Sequence, residues 1–209
     1  MNVKEAYNIW SEQYDTNENR TRDLEAISLR QNLKDQNFGN CLEIGCGTGK
    51  NTEWLASIAD NILAVDLSKE MLTKAKQKIS AKNVKFVQAD INKEWSFTDN
   101  NNFDLATFSL VLEHIENLDL VFQQLSKVIN THGILYIGEL HPFKQYNGSK
   151  ARFENEDGLQ IVTCFNHNIS DFISAARKNK FELIDINEYF DDNDKTTIPR
   201  ILTMIFRKK

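Results

Sequence analysis

Hydrophobic positions along this chain follow two spacings, and each predicts one kind of secondary structure. Apolar residues three to four positions apart are typical of helices, whereas short continuous apolar runs are typical of buried strands. The helical spacing predicts helices over 3–14, 21–34, 69–81, 118–129 and 170–180. The apolar runs predict strands at 41–44, 61–66, 84–88, 103–109, 133–140, 181–190 and 200–208. Strands and helices alternate through the middle of the chain, which is the order of a parallel α/β sheet.

Polar residues mark where several of these elements begin or end. Ser68 and Ser170 stand where two of the helices begin, and serine is a favoured helix N-cap. The turn-rich segment 191–194 separates the last two strands, which we expect to pair as a hairpin. We expect the polar run 99–102 to be a loop.

Composition and charge narrow the class of protein. A length of 209 residues with 41% hydrophobic content fits one domain with a substantial core. The formal charge is −5 and the Lys and Arg residues are dispersed, so we expect no nucleic-acid partner. No apolar signal segment or membrane-spanning run is visible, so we expect a cytoplasmic protein without a membrane partner. Cys41, Cys46 and Cys164 lack C-x-x-C spacing, so we interpret them as packing residues and expect no metal site.

A glycine-rich turn follows the first predicted strand, with glycines at positions 45, 47 and 49. Glycine permits positive φ and lets backbone N–H groups approach a ligand, so this turn predicts a site for a nucleotide-like cofactor. The spacing is not that of a dinucleotide fingerprint, whose third glycine would stand where the chain has Lys50. The sequence also contains no P-loop. Glu43 beside the turn favours a ligand with an ammonium group, so a nicotinamide-dependent oxidoreductase is disfavoured.

The pattern Glu43-x-Gly45-x-Gly47-x-Gly49 and the elements after it resemble the class I S-adenosylmethionine-dependent methyltransferases, over roughly residues 40 to 140. The resemblance implies S-adenosylmethionine as the cofactor and a Rossmann-like three-layer α/β/α fold. In that fold the sheet has seven strands and is mostly parallel, with the last strand antiparallel. The resemblance also implies that the glycine turn lies against the amino-acid portion and the ribose of the cofactor.

Two acidic residues at strand ends are the main candidates for holding the nucleoside. Asp66 ends the second strand about 17 residues after Gly49, close to where nucleotide-binding α/β units place the carboxylate that binds ribose hydroxyls. Asp90 follows the third strand, where the resemblance implies an acid that bonds the adenine amino group. As further cofactor contacts the resemblance implies Tyr14, Glu43, Gly45, Cys46, Gly47, Gly49, Leu67, Met71, Ile91 and Ser109.

Three histidines are candidate general bases, which a hydroxyl or amine acceptor would require. Histidine is the side chain best matched to proton transfer near neutral pH. His141 ends the fifth strand at the same edge of the sheet and is our first candidate, held extended by Pro142. His114 follows the fourth strand, and His167 ends the segment 142–168. Each of the three also has a structural interpretation, as a packing or hydrogen-bonding residue.

We interpret residues 1–209 as a single methyltransferase domain of four segments. These are the N-terminal helices 1–38, the cofactor-binding core 39–141, a lid-like insert 142–168, and a C-terminal helix with a strand pair, 169–209. The insert is expected over the acceptor site and contains a possible extra strand at 159–165. Its aromatic residues and Arg152 suit a small, partly apolar acceptor that can carry a carboxylate, or the aromatic residues form a satellite core.

The resemblance implies an enzyme that transfers a methyl group in line to a small-molecule oxygen, nitrogen or carbon. Methylation of nucleic-acid bases is disfavoured, because no Asp/Asn-Pro-Pro-Tyr/Phe sequence follows the fourth strand and no Pro-Cys dipeptide occurs. Two alternatives stay open. One is a regulatory protein that binds the cofactor without turnover, and the other is a protein or RNA methyltransferase that acts with a partner. We expect a monomer or a homodimer.

Overall fold

The computed structural model describes residues 1–99 and 102–209 of the chain. The described strands are β1 Phe38–Ile44, β2 Ala59–Asp66, β3 Val84–Gln88, β4 Phe103–Ser109, β5 Ile129–Leu140, β6 Arg152–Asn155, β7 Gly158–Ile161, β8 Phe181–Tyr189 and β9 Ile201–Lys208. The α-helices are α1 Val3–Trp10, α2 Arg20–Leu33, α3 Thr52–Leu55, α4 Lys69–Lys78, α5 Leu118–Val128, α6 Pro142–Tyr146 and α7 Ile169–Lys178. Residues 100 and 101, the middle of the polar run predicted as a loop, lie outside the described residues.

Seven strands form one sheet in the order β3-β2-β1-β4-β5-β9-β8. Strands β1 to β5 are parallel to their neighbours in this group, whereas β9 is antiparallel to both β5 and β8. The seven-stranded sheet with an antiparallel last strand and the pairing of the last two strands are therefore confirmed. Because the chain moves outward from β1 to β3 and then returns to β4, the carboxyl ends of β1 and β4 adjoin at a topological switch point.

Helices cover both faces of the sheet and make the fold three-layered. On one face α2, α3 and α4 pack through Leu29, Leu55 and Leu72. On the other face α5 and α7 pack through Phe122 and Phe172. Strand residues fill both clusters because successive side chains of a strand point to opposite faces. In the described part of the chain, no helix is both long enough and apolar enough to span a membrane.

Polar side chains determine where the helices begin. Four helices start after a residue whose side chain accepts the backbone N–H three positions on, namely Asn2, Asn19, Ser68 and Asn117. The predicted cap at Ser170 is wrong, because α7 already begins at Ile169. Asn168 precedes it with an extended backbone, and its N–H donates to Asp171 Oδ2 at 2.7 Å. This acid, three residues on, completes the start of the helix.

The N-terminal helix and the insert pack together in a third apolar cluster. Helix α1 ends at Trp10, so Tyr14, which the helical spacing placed in the same helix, lies in the turn after it. The ring of Trp10 stacks on the ring of Phe153 in β6, with centroids 5.1 Å apart. Strands β6 and β7 form a separate two-stranded sheet, so the predicted strand 159–165 is shortened to the end of a small hairpin.

Candidate active site

A cavity opens where the carboxyl ends of β1 to β4 meet. Together with its solvent-open mouth this space measures about 770 Å³. Its lining includes Gly45, Gly47, Asp66, Leu67, Ala89, Asp90, Ile91, Asn92, Ser109, Leu110, Val111, His114 and Ile115, together with Val3, Lys4, Tyr7 and Tyr14. The strand ends therefore converge on one ligand-sized space, and α1 covers it.

The turn after β1 needs its first two glycines for different reasons. Gly45 and Gly47 have φ of +73° and +54°, a region that L side chains rarely adopt. A Cβ at residue 45 would overlap Val111 Cγ2, whereas a Cβ at residue 47 would meet no described atom within 4 Å and would project into open space. Gly49 does not line the cavity. Its Cβ would lie 3.1 Å from Ile79 Cγ1, so the third glycine lets the turn pack on the end of α4.

Asp66, the predicted ribose ligand, ends β2 and lines the cavity. Its two carboxylate oxygens accept the N–H groups of Gly47 and Ser68, each at 2.8 Å. These bonds fix the orientation of the carboxylate, and each oxygen has a second lone pair for a ligand. Burial raises the pKa of Asp66. A ligand whose hydroxyl groups donate to the carboxylate would offset this cost of burial.

The turn after β3 holds Asp90, the predicted adenine ligand, at the cavity wall. Its Oδ1 accepts the backbone N–H of Asn92 at 3.0 Å and the side-chain amide of Asn92 at 3.2 Å. Ala89 and Ile91 on either side of the acid add apolar surface to the wall. An apolar wall with one acidic acceptor is complementary to a flat heterocycle that carries an amino group.

A second, smaller compartment adjoins the glycine turn on the side of α2. Burial raises the pKa of Glu43 to about 8, although Thr52 Oγ1 donates to its carboxylate at 2.6 Å. Burial also raises the pKa of Glu25, which accepts from Asn51 Nδ2 at 2.9 Å. Cys46 and Ser109 complete this wall. Two buried carboxyl groups are complementary to an ammonium group, which would favour their ionised forms.

Arg22 and Tyr14 form the opposite wall of this compartment. The guanidinium carbon of Arg22 lies 4.0 Å from the centroid of the Tyr14 ring, and the same side chain donates to the carbonyl oxygen of Tyr14. Burial raises the pKa of Tyr14 to about 12, so its hydroxyl group stays protonated at neutral pH. The compartment is thus lined by two cationic side chains, Arg22 and Lys50, and by three acidic ones, Asp15, Glu25 and Glu43. Charges of both signs suit the zwitterionic end of an amino acid.

His114 is the candidate histidine that the described structure places in the cavity wall. Its Nε2 lies 2.8 Å from Tyr7 Oη, and its Nδ1 lies 2.8 Å from the carbonyl oxygen of Thr163. Because a carbonyl oxygen can only accept, Nδ1 carries the proton and Tyr7 donates to Nε2. Glu113 Oε1 lies 3.9 Å from the same Nε2. His114 is thus held in one tautomer, with its Nε2 bonded to the hydroxyl group of a second lining residue.

His141 and His167 are not among the described residues that line either compartment. His141 is fully buried and begins α6, where its Nδ1 accepts the N–H of Phe143 at 3.1 Å. Its Nε2 lies 3.0 Å from Glu188 Oε1. His167 Nε2 bonds the carbonyl oxygen of Ile115 at 2.7 Å. The choice of His141 as first candidate base is therefore corrected, because the end of β5 turns at once into a helix whose first N–H groups need an acceptor.

Met71 and the insert also lie behind the cavity rather than in its wall. Met71 is fully buried under α1, in one cluster with Trp10 and Phe153. No residue of 142–168, all of which are described, lines the cavity. Phe143 and Tyr146 are about half exposed, whereas Phe153 is buried. The roof over the cavity is α1, and the hairpin of the insert supports α1 from outside.

Several lining residues carry no distinctive sequence signal. Tyr7 shares a helical stripe with core residues, so its hydroxyl group at the cavity is not visible in the spacing. Glu25 lies in α2, a mostly polar helix in which one buried acid resembles its exposed neighbours. Asn92 follows Asp90 by two residues, and this Asp-x-Asn spacing after a strand is the one signal that identifies a lining residue we did not name.

Comparison with known proteins identifies a family for the central part of the chain. Residues 42–137 match the family model described as a methyltransferase domain. An uncharacterized methyltransferase of Emericella nidulans is 26% identical over 220 residues, covering 88% of this chain and 77% of that protein. A ubiquinone biosynthesis O-methyltransferase of Glaesserella parasuis is 27% identical over 105 residues, covering 48% of this chain and 44% of that protein. The chain therefore matches less than half the length of this second relative.

A solved structure shows the same fold over nearly the whole chain. It is N-methyltransferase NodS from Bradyrhizobium japonicum in complex with S-adenosyl-L-homocysteine, at a TM-score of 0.70 and 18% identity, covering 97% of this chain and 98% of that one. The acids after β2 and β3, the open glycine turn and the Glu25–Glu43 compartment are complementary to the nucleoside and amino-acid groups of S-adenosylmethionine. Over residues 42–137 the chain thus matches a methyltransferase domain, and its overall fold is that of the S-adenosylmethionine-dependent methyltransferases of known structure.

Proposed function

We propose that this protein is an enzyme that methylates a small molecule at an oxygen, nitrogen or carbon atom. The observation that carries the proposal is the roofed cavity, whose lining combines the acids Asp66 and Asp90 with the Tyr7–His114 pair. The acids are suited to hold the nucleoside of the cofactor. The Tyr7–His114 pair is suited to handle the proton of an acceptor.

Each end of the cofactor has its own residues in this proposal. Asp66 binds the ribose hydroxyl groups, and Asp90 binds the adenine amino group. Glu25, Glu43 and Arg22 face the amino-acid end, beside the backbone of the glycine turn. When bound, S-adenosylmethionine supplies a methyl group that its sulfonium already activates. The main task left to the protein is to orient the acceptor in line with that methyl group, which is worth up to roughly 7–11 kcal/mol in favourable cases.

The roof favours a small acceptor over a macromolecular one. Val3, Lys4 and Tyr7 of α1 line the cavity, so a peptide or RNA segment would have to pass beneath this helix. Side-chain bonds hold the segment in place. Asn8 Oδ1 accepts from Ser68 Oγ at 2.7 Å, and Asp15 Oδ1 accepts from Thr48 Oγ1 at 2.6 Å. Because these hydrogen bonds hold α1 over the cavity, the space beneath the helix favours a compact acceptor.

The test uses S-adenosylmethionine with a deuterated methyl group. The protein is incubated with a low-molecular-weight cell extract and, separately, with the protein and RNA fractions, and labelled products are identified by mass spectrometry. Label in a small molecule, absent with the Asp66→Asn variant, supports the proposal. Label only in protein or RNA would favour the partner-assisted alternative. Bound cofactor with no labelled product in any fraction would favour the regulatory alternative.

We also propose that the protein acts in the cytoplasm, on the sequence grounds given above. Fractionation of cells with an antibody against the chain tests this part. Recovery in a membrane or secreted fraction would contradict it.

A further inference from the structure

Tyr7 and His114 both line the cavity, and the hydrogen bonds that join them run in one direction. Thr163 fixes the proton of His114 on Nδ1, so Nε2 accepts from the Tyr7 hydroxyl group at 2.8 Å. With its proton committed to His114, the Tyr7 oxygen keeps two lone pairs. Because Tyr7 lines the cavity, those lone pairs are available to a donor there. This oxygen therefore favours a ligand atom that carries hydrogen.

Burial keeps Tyr7 neutral, so the residue passes a proton on rather than storing a charge. Desolvation raises the pKa of Tyr7 well above its usual value, and Glu113 adds to the same effect. Tyr7 thus releases its own proton to His114 only as it receives another. The ring of Tyr7 stacks on Trp10, with centroids 5.6 Å apart, which holds the hydroxyl group in this position.

The charges behind the pair suit a positive His114 and oppose an anionic ligand. Glu113 Oε1 lies 3.9 Å from His114 Nε2, and Glu113 Oε2 is buried without a hydrogen-bond partner in the described structure. An imidazolium group at His114 would meet this carboxylate. Among the described residues that line the cavity, Lys4 is the one Lys or Arg, and it is exposed on α1. A carboxylate beside Tyr7 would therefore lie near the acid Glu113 and would have exposed Lys4 as its one Lys or Arg partner among the described lining residues.

The geometry points to an acceptor that arrives with its proton in place, a hydroxyl group on a compact aromatic body such as a phenol, and not to a carboxylate. Tyr7 and His114 form the relay that removes this proton. An aromatic body is favoured by the ring of Tyr14, whose centroid lies 6.2 Å from that of Tyr7, and by the apolar side chains of Val3 and Ile115 in the same cavity lining. This inference rests on the proposed function, because it concerns the acceptor of the same reaction.

The proton and electron pairs balance in the resulting step. The acceptor O–H bond breaks, its proton passes to Tyr7 Oη, and the former Tyr7 proton passes to His114 Nε2. The electron pair of the broken O–H bond forms the new O–C bond to the methyl group. The pair of the broken C–S bond stays on sulfur, which becomes a neutral thioether. His114 ends as an imidazolium group beside Glu113 and returns its proton to solvent after product release.

The experiment measures binding rather than turnover, with the protein saturated with S-adenosylhomocysteine. Matched pairs of probes share a ring and differ in the polar group, phenol with benzoate and 2-naphthol with 2-naphthoate. At pH 7 the hydroxyl member is neutral and the carboxylate is ionised, since their pKa values lie near about 10 and about 4. Ligand-detected NMR gives a Kd for each probe with the parent protein, with Tyr7→Phe and with Tyr146→Phe. Tyr146 is a half-exposed tyrosine outside the cavity lining and serves as the matched control.

We expect the hydroxyl member of a pair to bind at least about tenfold more tightly than the carboxylate, because the carboxylate loses water beside Glu113 and gains only the exposed Lys4 as a counter-ion among the described lining residues. Tyr7→Phe should weaken hydroxyl binding about fivefold, the value of one hydrogen bond, and leave carboxylate binding unchanged. Tyr146→Phe should change neither. Equal S-adenosylhomocysteine affinity and a single cooperative unfolding transition show that Tyr7→Phe is folded, since phenylalanine keeps the stacking on Trp10. Its stability should fall by about 1–3 kcal/mol, because His114 Nε2 loses its donor.

Three results would overturn the inference. These are preferred binding of the carboxylate member, an unchanged hydroxyl preference in Tyr7→Phe, and no binding of any probe to a protein that holds S-adenosylhomocysteine. Each of them leaves the proposed function standing. Failure to bind S-adenosylhomocysteine at all would instead remove the proposed function, and this inference with it.

Discussion

Replacement of Asp66 by alanine separates the ligand role of this residue from its structural role. The carboxylate accepts two backbone N–H groups within the protein, from Gly47 and Ser68. In our proposal the same two oxygens also accept the ribose hydroxyl groups of the cofactor. Asp66→Ala therefore removes two bonds that exist without the cofactor and two that form with it.

The expected magnitudes follow from this count. Two charge-assisted hydrogen bonds to the ribose contribute roughly 3 kcal/mol, so the Kd for S-adenosylmethionine should rise about 100-fold. Two backbone donors without a partner lower the free energy of unfolding by about 2–4 kcal/mol. A domain of ordinary stability, about 5–15 kcal/mol, tolerates this loss and stays folded.

A matched control is available at the opposite edge of the sheet. Asp104 near the start of β4 accepts the N–H of Asn40 at 2.9 Å and the side-chain amide of Asn130 at 2.8 Å. It is half-buried, as Asp66 is, and lies outside the described cavity lining. Asp104→Ala should therefore lose comparable stability and keep its affinity for the cofactor.

Isothermal titration measures both affinities, and urea denaturation measures both stabilities. A folded Asp66→Ala protein that binds S-adenosylmethionine as tightly as the parent would refute the ribose assignment. An equal loss of affinity in Asp104→Ala would show that the effect in Asp66→Ala comes from weakened structure.

Three further predictions concern other parts of the fold. Gly45→Ala should cost about 2 kcal/mol of unfolding free energy, because both its φ and Val111 oppose a Cβ, and unchanged urea denaturation would contradict this. In the folded protein burial raises the pKa of Glu43 from 4.5 to about 8. The contribution of Glu43 to the free energy of unfolding therefore falls as the pH rises from 4.5 to about 8. Glu43→Gln should make this loss of stability with pH smaller, whereas Glu53→Gln, at an exposed position, should leave it unchanged. Urea denaturation at the low and the high end of this pH range measures the loss. The same loss in both variants would refute the burial argument. His141→Ala should lose about 1 kcal/mol of stability, because the N–H of Phe143 loses its acceptor. Its affinity for S-adenosylmethionine, measured by calorimetry, should be unchanged. Weaker binding would show that His141 contributes to the cofactor site.

The strands and the cofactor end of the site were predictable because local signals determine them. Each parallel strand is a short apolar run, and the acids Asp66 and Asp90 stand directly at strand ends. Parallel strands share one edge for all their carboxyl ends, so residues far apart in the chain meet without further information. The glycine spacing added the class of cofactor by resemblance. These inferences need the order of elements and little knowledge of packing.

The acceptor end was not predictable, because it depends on which elements pack against each other. His114 and His141 both follow strands, but the cavity lies at the ends of β1 to β4, and the end of β5 is taken up by α6. Tyr7 and Trp10 lie on the same stripe of α1, yet one lines the cavity and the other stacks on the insert. The helical period cannot separate these two roles, since it gives the face of a helix and not its neighbour.

The central claim is that the cavity binds S-adenosylmethionine, and isothermal titration of the purified protein tests it most directly. NAD is titrated in parallel, because it would bind to a generic dinucleotide pocket. We predict binding of S-adenosylmethionine in the micromolar range and no heat from NAD at millimolar concentration. No binding of S-adenosylmethionine at millimolar concentration, or equal binding of NAD, would contradict the account.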